Sequence, residues 1–589
     1  MTGSGFGAVD KVSKSGDTLS GTLTSIAAIP FNIPAATDQQ TLVSDASDNF
    51  IPDVVGMNCI NAKTARYGAK GDTKVVLDGA MSSSTSTTTL TSATAGFVST
   101  DVGKTVSVAG AGAAGAILAG TISTYISATQ VTLSVACATT VSGAKTTWGT
   151  DDTAAIQAAM NAAGPLGNTV YLPSGNYTVS STLLWKPPTG GLTNQSFNAP
   201  SLKGAGCAAS YPRFLNTVTG ATTLTASGTF TVGEFMIDYI GDTGANNCIS
   251  GYEISALHLD CRARAAGMRN CNAHSSTHRH LTINQPATPA PANNVGGPTA
   301  GLSAVASPST NAWNNRYENI IVFGAAQDGF QFNEGNGSWV MAVNCLAGNA
   351  GRYGFQAGDA SCLIACSSQA AVTADFLVYR STLIGCNNEP WIGGCRANAL
   401  LFTGNNSRQA QIIGGEYGGN SNAGVTGTNA ALISFGSGGQ VFDVVITGVS
   451  FVTEAHTSYW LNVPGSSTTG KIAIKDCNFS TAGGALGTAP WVITPVIGPS
   501  MQISLSGNLG LNPLGVQVIA VPATTVATAA LPYDATFYVT AGSSSCTVAI
   551  SSGPTITVPA NACVPVFVPA SQTLTPTYTV APTWVVMGQ

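Results

Sequence analysis

Two histidine-bearing runs hold the densest set of proton-carrying groups in this chain of 589 residues, which has only 5 histidines. If apolar and polar residues alternate along a strand, Leu257, Leu259 and Cys261 point inward and leave His258 and Asp260 outward. The same alternation around Leu281 and Ile283 turns His278, His280 and Thr282 outward, so stacked strands would set His258 beside Thr282 and Asp260 beside Asn284. An imidazole titrates near neutrality, and a carboxylate can orient it or share its proton, which suits acid/base work on a sugar or a metal site. A solvated ladder of polar side chains is the competing reading of the same residues. His274-x-x-x-His278-x-His280 has ligand-like spacing but no carboxylate within it, and Cys362-x-x-x-Cys366 is the only close cysteine pair. No metal site and no cofactor is expected.

Other carboxylates in a chain so poor in charge are Asp328, Glu334, Asp359, Glu389 and Glu416; Asp328 in Gln-Asp-Gly and Asp359 in Gly-Asp-Ala also read as turn caps. Two carboxylates on neighbouring stacked strands fall near the separation of about 5–9.5 Å that glycoside hydrolysis uses. The catalytic candidates are therefore Asp260, His258, Glu334, Asp328 and Glu389. Trp391, Tyr459 and Trp460, read as lying on coil loops, offer aromatic faces for sugar rings, with His280 as a further sugar contact. Those aromatics equally suit packing against a second subunit. Arg262, Arg264, Arg269 and Arg279 supply positive charge for an acidic sugar, or else solvate the edges of coils.

The elements that would position these groups are short and repeated. Ala410-x-Ile412, Val444-x-Ile446, Ile472-x-Ile474 and Ile503-x-Leu505 recur at near-even spacing, with Tyr417, Phe451 and Phe479 following the first three in step. Leu257-x-Leu259, Leu281-x-Ile283 and Ile320-x-Val322 repeat the pattern upstream. A solenoid of stacked coils is implied, which removes the size limit on a single core because each coil buries only its neighbours.

A split motif opens that solenoid: Ala65-Arg66-Tyr67-Gly68-Ala69-Lys70-Gly71-Asp72, then Trp148-Gly149-Thr150-Asp151-Asp152-Thr153-Ala154-Ala155-Ile156-Gln157, then Val170-Tyr171-Leu172-Pro173-Ser174-Gly175-Asn176-Tyr177. Ile156, Ala159, Met160 and Ala163 recur at helical spacing, Asp151, Asp152 and Thr153 offer acceptors at the N-terminus, and Gly164-Pro165 ends the run, so a helix is predicted at about 152–163. The motif resembles the entry to a right-handed parallel β-helix of the pectate-lyase-like superfamily, the scaffold many phage tailspikes use. The resemblance implies an all-β chain: a right-handed parallel β-helix at 65–78 and 148–515 with that helix capping its first coil. An insertion at 79–147, rich in Thr, Ser and Val alternation, reads as a small β-domain, and residues 516–589 as a C-terminal β-sandwich-like domain. No catalytic motif of the pectate lyases can be placed here, so the fold does not supply the chemistry.

Residues 1–64 read as a separate head. Within it Val12-Ser13-Lys14-Ser15-Gly16-Asp17-Thr18-Leu19-Ser20-Gly21-Thr22-Leu23 resembles a repeat near the ends of phage tail fibres, and Gly507-Asn508-Leu509-Gly510-Leu511-Asn512-Pro513-Leu514-Gly515 resembles a boundary before C-terminal domains of phage tail proteins. These likenesses imply a virion tail component: a homotrimer, attached to other tail or baseplate proteins through its N-terminal region and contacting host surface polysaccharide. A glycan depolymerase, a non-enzymatic spike and a free bacterial polysaccharide-degrading enzyme are the alternatives. Charged residues are 8% of the chain against a usual value of about 25%. With a net charge of -5 and 22 Lys plus Arg, nucleic acid is excluded as a partner. The start Met1-Thr2-Gly3-Ser4-Gly5-Phe6-Gly7 carries no basic-then-apolar leader and no later window is a long apolar run, so neither export nor membrane insertion is expected. The 14 cysteines, spread along the chain, are expected as reduced thiols.

Overall fold

A computed structural model describes Val43–Ser44, Phe50–Ile51 and residues 59–588 except 188–194, 208–219, 231–233, 242–246, 263, 285–302, 304, 308–312, 333–338, 390–397, 403–407, 419–430, 437–440, 454–458, 463–468, 482–500, 509–515, 518, 531–533 and 570. The leader motif at 12–23 and most of the boundary motif at 507–515 therefore lie outside the described residues.

Short strands rich in Val, Ile, Leu and Phe pair in parallel with the strand one coil earlier. One sheet of 21 strands runs from Cys59–Asn61 to Met501–Ser506, and a second of 10 strands from Leu183–Trp185 to Tyr459–Asn462, an arrangement consistent with a parallel β-helix. The repeats seen in the sequence are register partners: Ala410 pairs with Val444, Val444 with Ile472 and Ile472 with Ile503. Tyr417, Phe451 and Phe479 likewise stack, the last two with ring centroids 5.0 Å apart. A second ladder joins Phe330, Phe355 and Phe376, with centroids 4.6 and 5.3 Å apart, so the interior carries aromatic columns at the spacing of the coils.

Period-two alternation is interrupted once per coil at a shared place. Ala256, His280, Asn319, Asn344 and Ala365 adopt positive φ at matching register, and Gly385, Gly414 and Gly448 continue the column where the left-handed conformation is free of a Cβ penalty. Each such residue bends the strand. The bend corrects one expectation: His278 lies before it, aligned with Ile254 and Tyr317, and is buried in the core instead of facing outward. There Ser276 Oγ sits 2.9 Å from His278 Nε2 and the Tyr317 ring stacks at 4.8 Å. Burial pushes this imidazole down to about 3.

The single α-helix among the described residues is Thr153–Ala163, and Ile156, Ala159, Met160 and Ala163 join the core of the coils. Asp152 does not cap it. Its carboxylate turns to the other half of the split motif, receiving Lys70 N at 2.6 Å and Gly71 N at 2.9 Å, while Asp151 Oδ1 takes Thr153 N at 3.1 Å. Asp72 in turn receives Thr150 N at 2.9 Å and Thr150 Oγ1 at 3.0 Å. These bonds explain how the two halves of the motif meet although a long insertion separates them.

Between those halves, strands within Lys74–Met81 to Val141–Gly149 close into an antiparallel barrel around Leu90, Val106, Val108, Val131 and Trp148. Near the C-terminus two antiparallel sheets enclose Phe537, Val548, Val566 and Leu574. Cys137, Cys261, Cys345, Cys366, Cys386, Cys477 and Cys546 are buried thiols.

Candidate functional site

The coils place the sequence-derived candidates in three different environments. His258 and Asp260 do flank Leu257 and Leu259 on the outer side, and His258 pairs with Thr282 and Asp260 with Asn284. The open face expected for them is absent, however, because the inserted barrel lies over it. Lys145 Nζ is 3.0 Å from Asp260 Oδ2, Arg262 Nη1 donates to Thr147 Oγ1, and Gly228 N donates to Ser107 Oγ at 2.9 Å. His258 is left 3% exposed and Asp260 6%. Burial alone would raise the Asp260 carboxyl, but Lys145, Arg262 and His258 outweigh it and hold the group below the usual range. Burial lowers the His258 imidazole.

Asp328 is fully buried, and Arg352 grips both its oxygens at 2.8 and 2.6 Å. Burial raises its carboxyl, with Arg352 offsetting part of the effect. Asp359 with Arg380, Asp238 with Arg269 and Glu253 with Arg279 make similar pairs between coils, so the carboxylate Asp359 and two of the arginines weighed against an acidic sugar, Arg269 and Arg279, are tied into structural ion pairs. These pairs are fork-to-fork and partly buried, the geometry in which guanidinium and carboxylate match best.

Glu389 stands apart. It ends the strand Asn387–Glu389 on the solvent side, with Asn388 turned inward. Gln369 Nε2, one coil earlier, donates to Glu389 Oε2 at 2.6 Å. On the next coil Glu416 is the register partner of Asn387 and is also exposed, with Tyr417 turned inward. Strand spacing of about 4.8 Å and two residues of rise set the Cα atoms of Glu389 and Glu416 about 8 Å apart on one face. The two strands are locked from inside: Gly418 N donates to Asn388 Oδ1 at 2.6 Å, and Asn388 Nδ2 donates to Asp375 Oδ2 at 2.7 Å. Ser368 Oγ also donates to Asp375, at 2.6 Å. Along the same outer column run Ser367, Asn387, Glu416, Ser450 and Asn478, a polar strip free of large apolar side chains.

His280 is exposed at the bend, its Nε2 3.4 Å from Asn319 Nδ2. Tyr459 and Trp460 fall on the strand Tyr459–Asn462 instead of a loop. Glu334 and Trp391 lie outside the described residues. Sequence reasoning missed Lys145 and Thr147, which only the docking of the barrel reveals, and Gln369 and Asn388, whose roles depend on register between coils. Among the described residues no cluster of His, Cys, Asp and Glu is arranged to hold a metal ion.

Residues 138–371 match the family described as Rhamnogalacturonase A/epimerase, pectate lyase-like. Among solved structures the chain is similar to the ORF18 protein of Geobacillus virus E2, at 14% identity over 74% of this chain and 73% of that one, with a TM-score of 0.35. It is also similar to an N-terminal fragment of gene product 12 of bacteriophage phi29, at 14% identity over 61% of each chain and a TM-score of 0.37. A third likeness is to the tailspike gp49 of Acinetobacter baumannii bacteriophage Fri1, a capsular polysaccharide depolymerase, at 12% identity over 74% of this chain and 82% of that one, with a TM-score of 0.36. No curated protein matches the sequence. No helix among the described residues is long and apolar enough to cross a membrane.

Proposed function

We propose that this chain is a tail-spike component of a phage-type particle that lays a host surface polysaccharide along its coils, and that Glu389 and Glu416 act on the bound chain as a hydrolytic carboxylate pair. The observation that carries the chemistry is their common face on neighbouring coils. A spacing of about 8 Å between the Cα atoms leaves carboxyl groups free to sit about 5–9.5 Å apart, the span used by glycoside hydrolases. The polar strip beside them offers hydroxyl and amide groups to a neutral or acidic glycan. Membership of a virion rests on the leader at 12–23 and the boundary motif at 507–515, both read from sequence.

Self-association belongs to the same proposal. Val343, Ile364, Ile384 and Ile413 are register partners that line the outer face of successive coils, Ile384 being 37% and Ile413 39% exposed. A column of adjacent aliphatics on the outside of a solenoid suits contact with further copies of the chain. The head at 1–64 would join the tail or baseplate.

The test is incubation of the purified chain with capsule and cell-wall glycans from candidate hosts, followed by sizing of the polysaccharide. Shortened chains that disappear with Glu389→Gln support hydrolysis. Binding without shortening at high protein load leaves a non-enzymatic spike. Absence from purified particles would favour a free enzyme.

A further inference from the structure

Where the barrel meets the coils, several buried nitrogen atoms stand without a hydrogen-bond partner among the described residues. Among the described residues both ring nitrogens of His258, Nη2 of Arg262 and Nε of Arg264 have no hydrogen-bond partner. His258 and Arg262 are 3% and 6% exposed, so bulk water does not serve them freely. The groups form one neighbourhood: Asp260 feels Lys145, Arg262 and His258, and Arg262 feels Arg264. Two cations, Lys145 and Arg262, thus face the carboxylate of Asp260, which is committed to Lys145 at 3.0 Å, and Arg264 adds a further positive charge beside Arg262.

Native proteins rarely leave buried polar atoms unmatched, and a group that stays so points to an ion or water. A water molecule would satisfy individual donors but leave the excess positive charge. An oxyanion answers both, since guanidinium groups offer forked donors to planar or tetrahedral oxygens and charge-assisted bonds are the stronger kind. We infer that the seam between barrel and coils binds a small oxyanion, the carboxylate of an acidic sugar or an inorganic sulfate, between His258, Arg262 and Arg264. On the solvent side the seam is bordered by Lys145, whose side chain is 26% exposed. This site lies on other coils than Glu389 and Glu416 and stands or falls independently of the hydrolytic reading.

Isothermal titration calorimetry of the full chain with sodium glucuronate and with sodium sulfate tests the inference, against glucose and against sodium chloride at matched ionic strength. Saturable binding of at least one anion is expected, weakened about tenfold by Arg262→Gln through loss of a charge-assisted donor. Where Arg262→Gln fails to fold, the partly exposed Arg264→Gln is the second variant, with a loss of several-fold. Glucuronate binding without sulfate binding identifies a sugar acid, and the reverse identifies an inorganic ion. No saturable heat with either anion up to tens of millimolar overturns the inference, as does binding that is unchanged in the folded variants.

Discussion

Lys145 Nζ of the barrel lies 3.0 Å from Asp260 Oδ2 of the coils, an ion pair between side chains 26% and 8% exposed. Removing one partner of a buried pair leaves the other charge uncompensated, at a cost of about 3–5 kcal/mol when burial is complete. Solvent reaches Lys145, and Arg262 remains near Asp260, so Lys145→Met is expected to destabilise the protein by roughly 2 kcal/mol. Chemical denaturation measures the loss. Limited proteolysis should also cut the chain between Lys74 and Gly149 faster, because the pair holds the barrel down. An unchanged midpoint and an unchanged cleavage rate would show that docking does not depend on this pair.

Asp152 and His278 should tilt the stability of the protein in opposite directions over the same pH window. Burial of Asp152, reinforced by Asp72 and Asp151, raises its carboxyl from 3.8 to about 6 despite the bonds from Lys70 and Gly71. The folded state then binds more protons than the unfolded one between those values. The contribution of Asp152 is fully present below about 4 and is lost as pH rises through about 6, amounting to about 3 kcal/mol. His278 runs the other way, from 6.5 unfolded to about 3 folded, so acidification below 6.5 costs stability. Only the difference between wild type and variant isolates each group. Asp152→Asn should give a midpoint that rises more steeply with pH from 4 to 6 than that of wild type, in urea titrations across that range. A parallel pair of curves would remove the raised carboxyl.

Glu253 gives an acid limb with the sign reversed. Burial works against its ionisation, but Arg279, Ser255 and Lys203 outweigh burial and hold the carboxyl at about 2 instead of 4.5. A carboxyl depressed on folding contributes stability above its unfolded value, and that stability is lost as pH falls from about 4.5 through about 2. Glu253→Gln should therefore lower stability at pH 7 and lose less on acidification to pH 3. Equal losses on acidification in both proteins would mean that the pairs with Arg279 and Lys203 are too solvated to matter.

Much of this arrangement is legible in the residues. Aliphatic pairs such as Ala410/Ile412 and Val444/Ile446 announce coils because a solenoid repeats its interior at every turn, and the helix at 153–163 follows from helical spacing alone. Alternation puts His258 and Asp260 on the outer side of their strand, but the barrel that covers them reaches Asp260 through Lys145 and Arg262 through Thr147, more than a hundred residues away in sequence. Periodicity carries no record of docking between separate units. His278 departs from the alternation for a different reason: the positive φ of His280 bends the strand and resets the pattern, and apolar/polar periodicity carries no sign of that bend. Asp152 leaves its helix without a side-chain cap because its carboxylate accepts from Lys70 N and Gly71 N across the split motif, a pairing that helical spacing does not encode.

The aliphatic column on the outside offers a test of assembly. Ile384 and Ile413 are direct register partners on adjacent coils and more than a third exposed. Ile384→Glu combined with Ile413→Glu would put two charges into any contact made there, while leaving the interior untouched because both side chains face solvent. Light scattering after size exclusion is expected to report an oligomer for the wild type and a smaller species for the double variant, with the unfolding midpoint of the isolated chain shifted by no more than about 0.5 kcal/mol. An unchanged molar mass would move the contact to another face.

Hydrolysis by Glu389 and Glu416 makes the most specific demand on the coils. If one acts as acid and the other as base or nucleophile, Glu389→Gln and Glu416→Gln should each slow glycan shortening by about 10²–10⁴-fold with little effect on folding, because general acid–base groups contribute on that scale. The Glu389 variant has a structural signature of its own, since Gln369 Nε2 at 2.6 Å would keep a partner in the amide oxygen. Asn388→Leu tests the support from within. It removes the acceptor of Gly418 N at 2.6 Å and a donor to Asp375 Oδ2 at 2.7 Å, and should destabilise the protein by about 1–3 kcal/mol through the buried Gly418 N–H. Its effect on glycan shortening should exceed its effect on glycan binding, because the clamp sets the spacing between the strands that carry the two carboxylates. Comparable losses in both would reduce Asn388 to a general prop of the coils, and full activity in Glu389→Gln would leave Glu416 without its partner.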